Sequence, residues 1–155
     1  MKDLLLVKHA SGAPGLRLFG IGPSLLPQMG ILKLQRLLNR NTSWAANRKK
    51  NDIKKMLSKS DVIVSAWKEN NLIGFGRASS DQVFRSVLWD VVVEEKYQRF
   101  GVGKLIINTL LTNKVISQAE RIYVMTTHFE NFYSKMGFEV EKTQKLMILK
   151  KSKVS

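Results

Sequence analysis

The run Val91-Val92-Val93-Glu94-Glu95-Lys96-Tyr97-Gln98-Arg99-Phe100-Gly101-Val102-Gly103-Lys104 constrains this chain more than any other segment. A β-branched stretch runs into a glycine-containing turn, and the turn opens a helix. The backbone N–H groups at such a helix start have no intrahelical partner and point outwards, where they can cradle phosphate oxygens. Gly101 and Gly103 let the backbone come close to a ligand that a β-carbon would obstruct. Arg99 and Lys104 add positive charge. The plainer reading is a tight strand-to-helix connection that needs glycine for its geometry alone. Both readings require a strand followed by a helix.

Two familiar phosphate loops can be tested against this turn. A Walker A loop needs glycine five residues before Gly103 and Ser or Thr after Lys104, but Gln98 and Leu105 stand there. A dinucleotide fingerprint needs a third glycine three residues after Gly103, where the chain has Ile106. Neither motif is present.

The rest of the chain reads as alternating helices and strands. Glycines and prolines break up residues 1–27, which read as irregular with a short strand around Leu16 to Ile21. Ile31, Leu34, Leu37 and Leu38 follow helical spacing from Met29, and Asn39 to Thr42 stop it. A second helix fits Asn47 to Leu57. Val62 to Trp67 and Leu72 to Arg77 read as a hairpin turning at Glu69-Asn70-Asn71. Val83 to Val93 reads as a long strand, Val102 to Ile116 as a helix with Val102, Leu105, Ile106, Leu110 and Leu111 on one side, and Arg121 to Met125 as a short strand. Phe129 to Met136 is a short helix ended by Gly137, and Phe138 to Leu149 a closing strand or strand pair. The expected fold is α/β, a mixed central sheet flanked by helices on both faces, in a single domain over residues 1–155.

Composition excludes several chemistries. With 155 residues, 44% hydrophobic, the chain is long enough to bury a core of its own. It has no cysteine, hence no thiolate nucleophile or disulfide, and its two histidines, His9 and His128, lie too far apart in sequence to suggest a metal site. No metal is expected. Four apolar residues near the start fall short of a signal-peptide core, no run approaches a membrane span, and the opening residues do not read as an Arg/Ser-rich leader. The expected compartment is a plastid stroma or a bacterial cytoplasm, and an excess of lysine over arginine suits the AT-rich genome of a plastid.

The net charge of +14 is uneven. Residues 1–60 hold twelve Lys/Arg against Asp3 and Asp52. Such a surface is either a solvated helix face or a docking site for an anion, whether nucleic acid, an acidic protein or a polyphosphate. One alternative is therefore a basic RNA- or ribosome-binding module. Against it, Trp44 is the sole aromatic between Phe19 and Trp67, where RNA recognition calls for aromatics among the basic residues.

Gln98-Arg99-Phe100-Gly101-Val102-Gly103 resembles the Q/R-x-x-G-x-G/A signature of the GCN5-related N-acetyltransferases (GNAT). Beginning 29 positions after Gly103, Phe132-Tyr133-Ser134-Lys135-Met136-Gly137-Phe138 is similar to the F-Y-x-x-x-G-F segment on that family's fourth helix. Phe75 to Ser80 and Trp89-Asp90-Val91-Val92-Val93 look like the plastid and cyanobacterial branch, which includes plastid-encoded algal members and chloroplast enzymes described as serotonin N-acetyltransferases. Thr126 and Phe129 stand where the family often has Asn and Ala, and Asn131 is the candidate to replace the usual Asn at the cofactor.

The resemblance implies a GNAT fold and direct transfer of acetyl from acetyl-CoA, as cosubstrate, to a primary amine in a ternary complex. The acceptor would be a small arylalkylamine or a protein amino group. By the same resemblance, backbone groups of Val91 and Val93 would hold the pantetheine arm, and Arg99, Phe100, Gly101, Val102, Gly103 and Lys104, with Gln98, the pyrophosphate. Tyr133 would be the general acid; read alone, it is also an ordinary core aromatic beside Phe132. Asp90 could accept the amine's proton or serve a structural hydrogen bond, and regular alternation turns it away from Val91 and Val93. Trp89 is either a wall for an aromatic substrate or a core residue. His128 could act as base, cap a helix or lie on the surface.

Overall fold

The computed structural model describes residues 2–9 and 27–151. It divides into two compact units, Met1–Val124 and Met125–Ser155.

The first unit contains, in order, β1 (Leu4–Lys8), α1 (Pro27–Asn41), α2 (Lys50–Ser58), β2 (Val62–Lys68), β3 (Asn71–Ser80), β4 (Arg85–Val93), a 3₁₀ turn (Glu95–Tyr97), α3 (Val102–Leu111), α4 (Lys114–Ser117) and β5 (Arg121–Val124). The five strands form one sheet in sequence order. Its first three pairings are antiparallel and β4 with β5 is parallel, so the sheet is mixed as expected. β1 corrects the expectation that residues 1–27 are irregular. It pairs along β2, with Leu6 opposite Ala66, and five residues with no alternation of their own become a strand because a neighbour supplies the ladder. The expected strand at 16–21 lies outside the described residues.

Side-chain alternation puts helices on both faces of the sheet. Phe75 of β3 joins Ile63, Trp67 and Val92 in a core with Ile31, Leu34 and Leu38 of α1 and Ile53 and Leu57 of α2. The neighbours of Phe75 turn the other way, towards α3. A β-carbon added at Gly74 would lie 2.7 Å from Cδ1 of Ile106, and one at Gly76 2.7 Å from its Cγ2. These two glycines let α3 sit close against the strand, which places the start of that helix. Val102, Ile106, Ile107 and Leu110 are the buried residues of α3, whereas Leu105, expected on this side, is exposed.

Element ends depart from expectation where a side chain captures the backbone. α1 starts at Pro27, whose missing N–H costs nothing at a first helical position. The helix expected to run to Ile116 breaks after Leu111, and Asn113 caps α4 by accepting from the N–H of Val115 at 3.0 Å. β4 starts at Arg85 because Oδ1 of Asp81 accepts from the N–H groups of Val83, Phe84 and Arg85, folding them into a turn. In the β2–β3 hairpin the left-handed residue is Glu69, and Asn71 already pairs with Lys68.

The second unit holds α5 (Glu130–Ser134). Gly137, at φ +92°, ends it as expected. The N–H of Phe138 donates to the carbonyl of Tyr133 and that of Gly137 to Ser134, at 3.2 and 3.1 Å. This is a Schellman closure that needs a left-handed residue at Gly137. The Phe138 ring packs edge-on against Tyr133, 5.6 Å between centroids. The closing strand expected over 138–149 does not form among the described residues. Leu146, Met147, Ile148 and Leu149 are all exposed there, since strand propensity without a pairing neighbour does not make a strand.

Candidate active site

The site in the first unit is built on a fault in β4. Phe75 faces Val92 and Arg77 faces Trp89, so Gly76 alone spans Asp90 and Val91. Two residues against one is a β-bulge. Asp90 takes φ +53° there, a conformation Asp tolerates better than most side chains. As a result Trp89 and Asp90, adjacent in sequence, both turn towards Arg77, and Val92 falls into the α1–α2 core.

Beyond the bulge β4 loses one neighbour. Its pairing with β5 ends at Leu88 opposite Val124, so residues 89–93 have β3 on one side and no described strand on the other. The N–H of Glu94 donates to Ile73 of β3 at 2.8 Å. Alternation then turns the backbone groups of Val91 and Val93 to the open edge. Gln98 reaches back to that edge, its Nε2 donating to the carbonyl of Val93 at 3.1 Å. Gln98 thus fastens the turn to the strand end.

The turn itself is left-handed twice, at Arg99 (φ +65°) and Gly101 (φ +83°). Gly101 is the N-cap of α3, and Leu105 is the first residue whose N–H is taken, by Gly101 at 3.0 Å. The N–H groups of Val102, Gly103 and Lys104 donate to no described residue, as expected at a helix start. Arg99, Phe100 and Lys104 are exposed, and neither cation meets a carboxylate among the described residues. All the residues expected at the pantetheine and pyrophosphate therefore come together in one unit, apart from Asn131.

Asp90 and Trp89 lie on the other face of β4. Arg48 donates from Nη1 and Nη2 to Oδ2 and Oδ1 of Asp90, at 3.0 and 3.1 Å, and Arg77 donates from Nε to Oδ2 at 2.6 Å. The Asp90 side chain is 5% exposed. Burial pushes its pKa up, but the hydrogen bonds and charges of Arg48 and Arg77 outweigh this and hold it below the usual carboxylate range. Held ionised, with both oxygens engaged, it is a weak proton acceptor, and of the two readings open for Asp90 this geometry favours the structural one. Half-buried Trp89 donates its indole N–H to Ser79 at 2.8 Å, under the Arg77 guanidinium. Neither arginine is among the site residues expected from sequence. The available signal was a lone carboxylate in a valine-rich strand, which calls for a cationic partner when buried.

In the second unit Tyr133 is buried, with edge contacts to Phe132 and Phe138. Burial pushes its pKa up to about 12. Asn131 is exposed on the same helix. His128 is exposed and does not cap α5, whose N-cap is Phe129; the N–H of Phe129 donates to Thr126 at 3.1 Å. Among the described residues no three His, Cys, Asp or Glu side chains gather as metal ligands, and no helix is long and apolar enough to cross a membrane.

A mixed sheet whose bulged fourth strand opens beside a glycine turn frames this site. The family described as Acetyltransferase (GNAT) domain matches residues 59–140, and the chain belongs to it. It is 37% identical over 94 residues to the uncharacterized N-acetyltransferase ycf52 of Porphyra purpurea, covering 56% of this chain and 52% of that one. It is 34% identical over 74 residues to the chloroplastic GCN5-related N-acetyltransferase 2 of Arabidopsis thaliana, covering 47% of this chain and 29% of that one. The chain thus spans about half the length of the Porphyra relative, 52%, and less of the Arabidopsis one. The fold matches a GNAT-family acetyltransferase of Streptococcus pneumoniae with a TM-score of 0.68 at 19% identity, covering 96% of this chain and 99% of that one.

Proposed function

We propose that this chain is an N-acetyltransferase that moves acetyl from acetyl-CoA to a primary amine by direct transfer. One observation carries the reading: β4 loses its β5 partner after Leu88, and its free edge leads into the left-handed Gly101 at the start of α3. Val91 and Val93 would hydrogen-bond the pantetheine amides as a further strand would, and an N–H on the same edge would steady the thioester oxygen as it gains charge. The N–H groups of Val102, Gly103 and Lys104, with the side chains of Arg99 and Lys104, would hold the pyrophosphate. Phe100 and Gln98 belong to the same turn, and Asn131 is the candidate for a further cofactor contact.

In the reaction the amine nitrogen bonds to the acetyl carbon, the carbon–sulfur bond breaks, the thiolate takes the proton of Tyr133, and water returns a proton to the phenolate. A pKa of about 12 keeps that phenol protonated at working pH. The proton lost by the amine goes to water, because Asp90 is engaged by Arg48 and Arg77. Trp89 is proposed to shape the acceptor side, which suits an arylalkylamine; a protein amino group is the other acceptor class. Lys33, Arg36 and Arg40 follow one another along one side of α1, which supports an added contact with an acidic or ribosomal partner. The algal and chloroplastic relatives support action in a plastid stroma, with a bacterial cytoplasm as the alternative.

The test is a turnover assay with acetyl-CoA and three acceptors: serotonin, a lysine-bearing peptide and a peptide with a free N-terminus, each at low and high salt. Turnover of serotonin, with KM raised in Trp89→Ala, supports the arylalkylamine. Turnover of peptides alone, suppressed by salt, assigns acceptor choice to the basic surface instead. No turnover of any amine overturns the proposal.

A further inference from the structure

Arg48 stands 42 positions before Asp90 in the chain, on the connection between α1 and α2. Its two terminal nitrogens meet both oxygens of Asp90, a paired fit that a planar guanidinium makes and an ammonium cannot. The same guanidinium is held from two further sides. It lies 5.9 Å from the ring centre of Trp44, and Nη1 is 3.3 Å from Sδ of Met56. The carboxylate it grips belongs to the residue whose left-handed backbone makes the β4 bulge. A side chain in that conformation carries a backbone cost that its surroundings must offset. Arg77 also holds Asp90, but from β3, the strand against which β4 is already registered. Arg48 is the contact that ties the bulge to the α1–α2 connection.

We infer that Arg48 is a positioning residue for acetyl transfer: through Asp90 it keeps the bulge that turns Val91 and Val93 to the open edge. It touches neither substrate nor reacting atoms, and acts by setting the backbone that does. Without it, residues 90–92 gain freedom to relax towards regular pairing, which moves the groups meant for the pantetheine arm off their register. The inference rests on the acetyltransferase reading above. Arg48→Ala frees Oδ1 but leaves Oδ2 paired with Arg77, so the carboxylate keeps one cationic partner while the effect is read at the cofactor.

Calorimetric acetyl-CoA affinity, steady-state kinetics and melting temperature should be compared for the wild type, Arg48→Ala, Arg48→Lys and Lys49→Ala. Lys49 is the exposed neighbour and controls for local positive charge. Arg48→Ala is expected to weaken acetyl-CoA binding about tenfold and to lower kcat, the size of coupling found within one charge network. Arg48→Lys, which keeps charge but loses the paired donors, should recover little of this, and millimolar methylguanidinium should restore affinity to Arg48→Ala. Lys49→Ala should match the wild type. Acetyl-CoA binding and kcat within about twofold of wild type in either folded Arg48 variant overturn the inference, as does an equal loss in Lys49→Ala. Should Arg48→Ala not fold, Arg48→Lys decides. A wild type that does not bind acetyl-CoA defeats the acetyltransferase reading itself, and the role of Arg48 falls with it.

Discussion

Arg77 on β3 donates through Nε to Oδ2 of Asp90 at 2.6 Å, across the point where β3 and β4 shift register. The pair, with Arg48 on the same carboxylate, ties stability to pH. The folded pKa of Asp90 lies below its ordinary value of 3.8, so its contribution is complete above that value. It is lost as pH falls through the lower, folded pKa. Urea midpoints of the wild type should therefore drop more steeply below about pH 4 than those of Asp90→Asn. At neutral pH Asp90→Ala should cost about 3 kcal/mol, the lower end for breaking a buried pair, because both arginines keep some access to water. Parallel acid curves for the wild type and Asp90→Asn would remove Asp90 from this role.

Tyr133 gives a second pH signature, at the opposite end of the scale. Its folded pKa is raised to about 12 from 10.0. Below the unfolded value both states carry the proton and stability does not change. As pH climbs from 10 towards 12 the unfolded state ionises first, and stability falls. Tyr133→Phe should lack this decline in alkaline denaturation. In the assay the same variant should lose roughly 10² in kcat with acetyl-CoA affinity nearly unchanged, as expected for a positioned acid. Wild-type activity in the Phe variant at every pH would leave Tyr133 as a packing residue.

Gly101 separates backbone strain from ligand contact. A β-carbon there would meet nothing within 4 Å, but φ is +83°. Gly101→Ala should therefore cost only the left-handed penalty of about 1–2 kcal/mol and leave the fold intact. Acetyl-CoA at a hundred times its dissociation constant should stabilise the wild type by about 2.7 kcal/mol. Gly101→Val should lose most of that shift. An equal shift in wild type and Gly101→Val would mean that the turn does not face the phosphates.

Gly74 and Gly76 set how closely α3 approaches the sheet. Alanine at either position would press on Ile106, with contacts of 2.7 Å, and overpacking of this kind costs about 1–3 kcal/mol. At Gly76 the opposing atom is the branched Cγ2 of Ile106, and at Gly74 the freer Cδ1. Gly76→Ala should therefore be the more damaging. Adding Ile106→Ala should recover part of the loss at Gly76, as a chemical-denaturation double-mutant cycle would show. Simple additivity would mean that Ile106 is not what limits the approach.

Local sequence was enough for those features that depend on neighbours a few positions apart. The glycine turn after Val93, the apolar spacing of Ile31, Leu34 and Leu38, the β2–β3 hairpin and the stop at Gly137 all follow from short-range sterics and periodicity. They also carried the resemblance that places the chain among the acetyltransferases, which the family match over residues 59–140 bears out. Tertiary structure alone decided the bulge at Asp90, because its extra residue exists only relative to the register of β3. The partners of Asp90 had the same origin: Arg48 and Arg77 stand 42 and 13 positions away, and no local pattern pairs them. β1 became a strand through β2, whereas residues 138–149, with similar propensity and no described partner, did not. A strand and its register belong to a pair of segments, and one segment's sequence does not contain the other's hydrogen bonds.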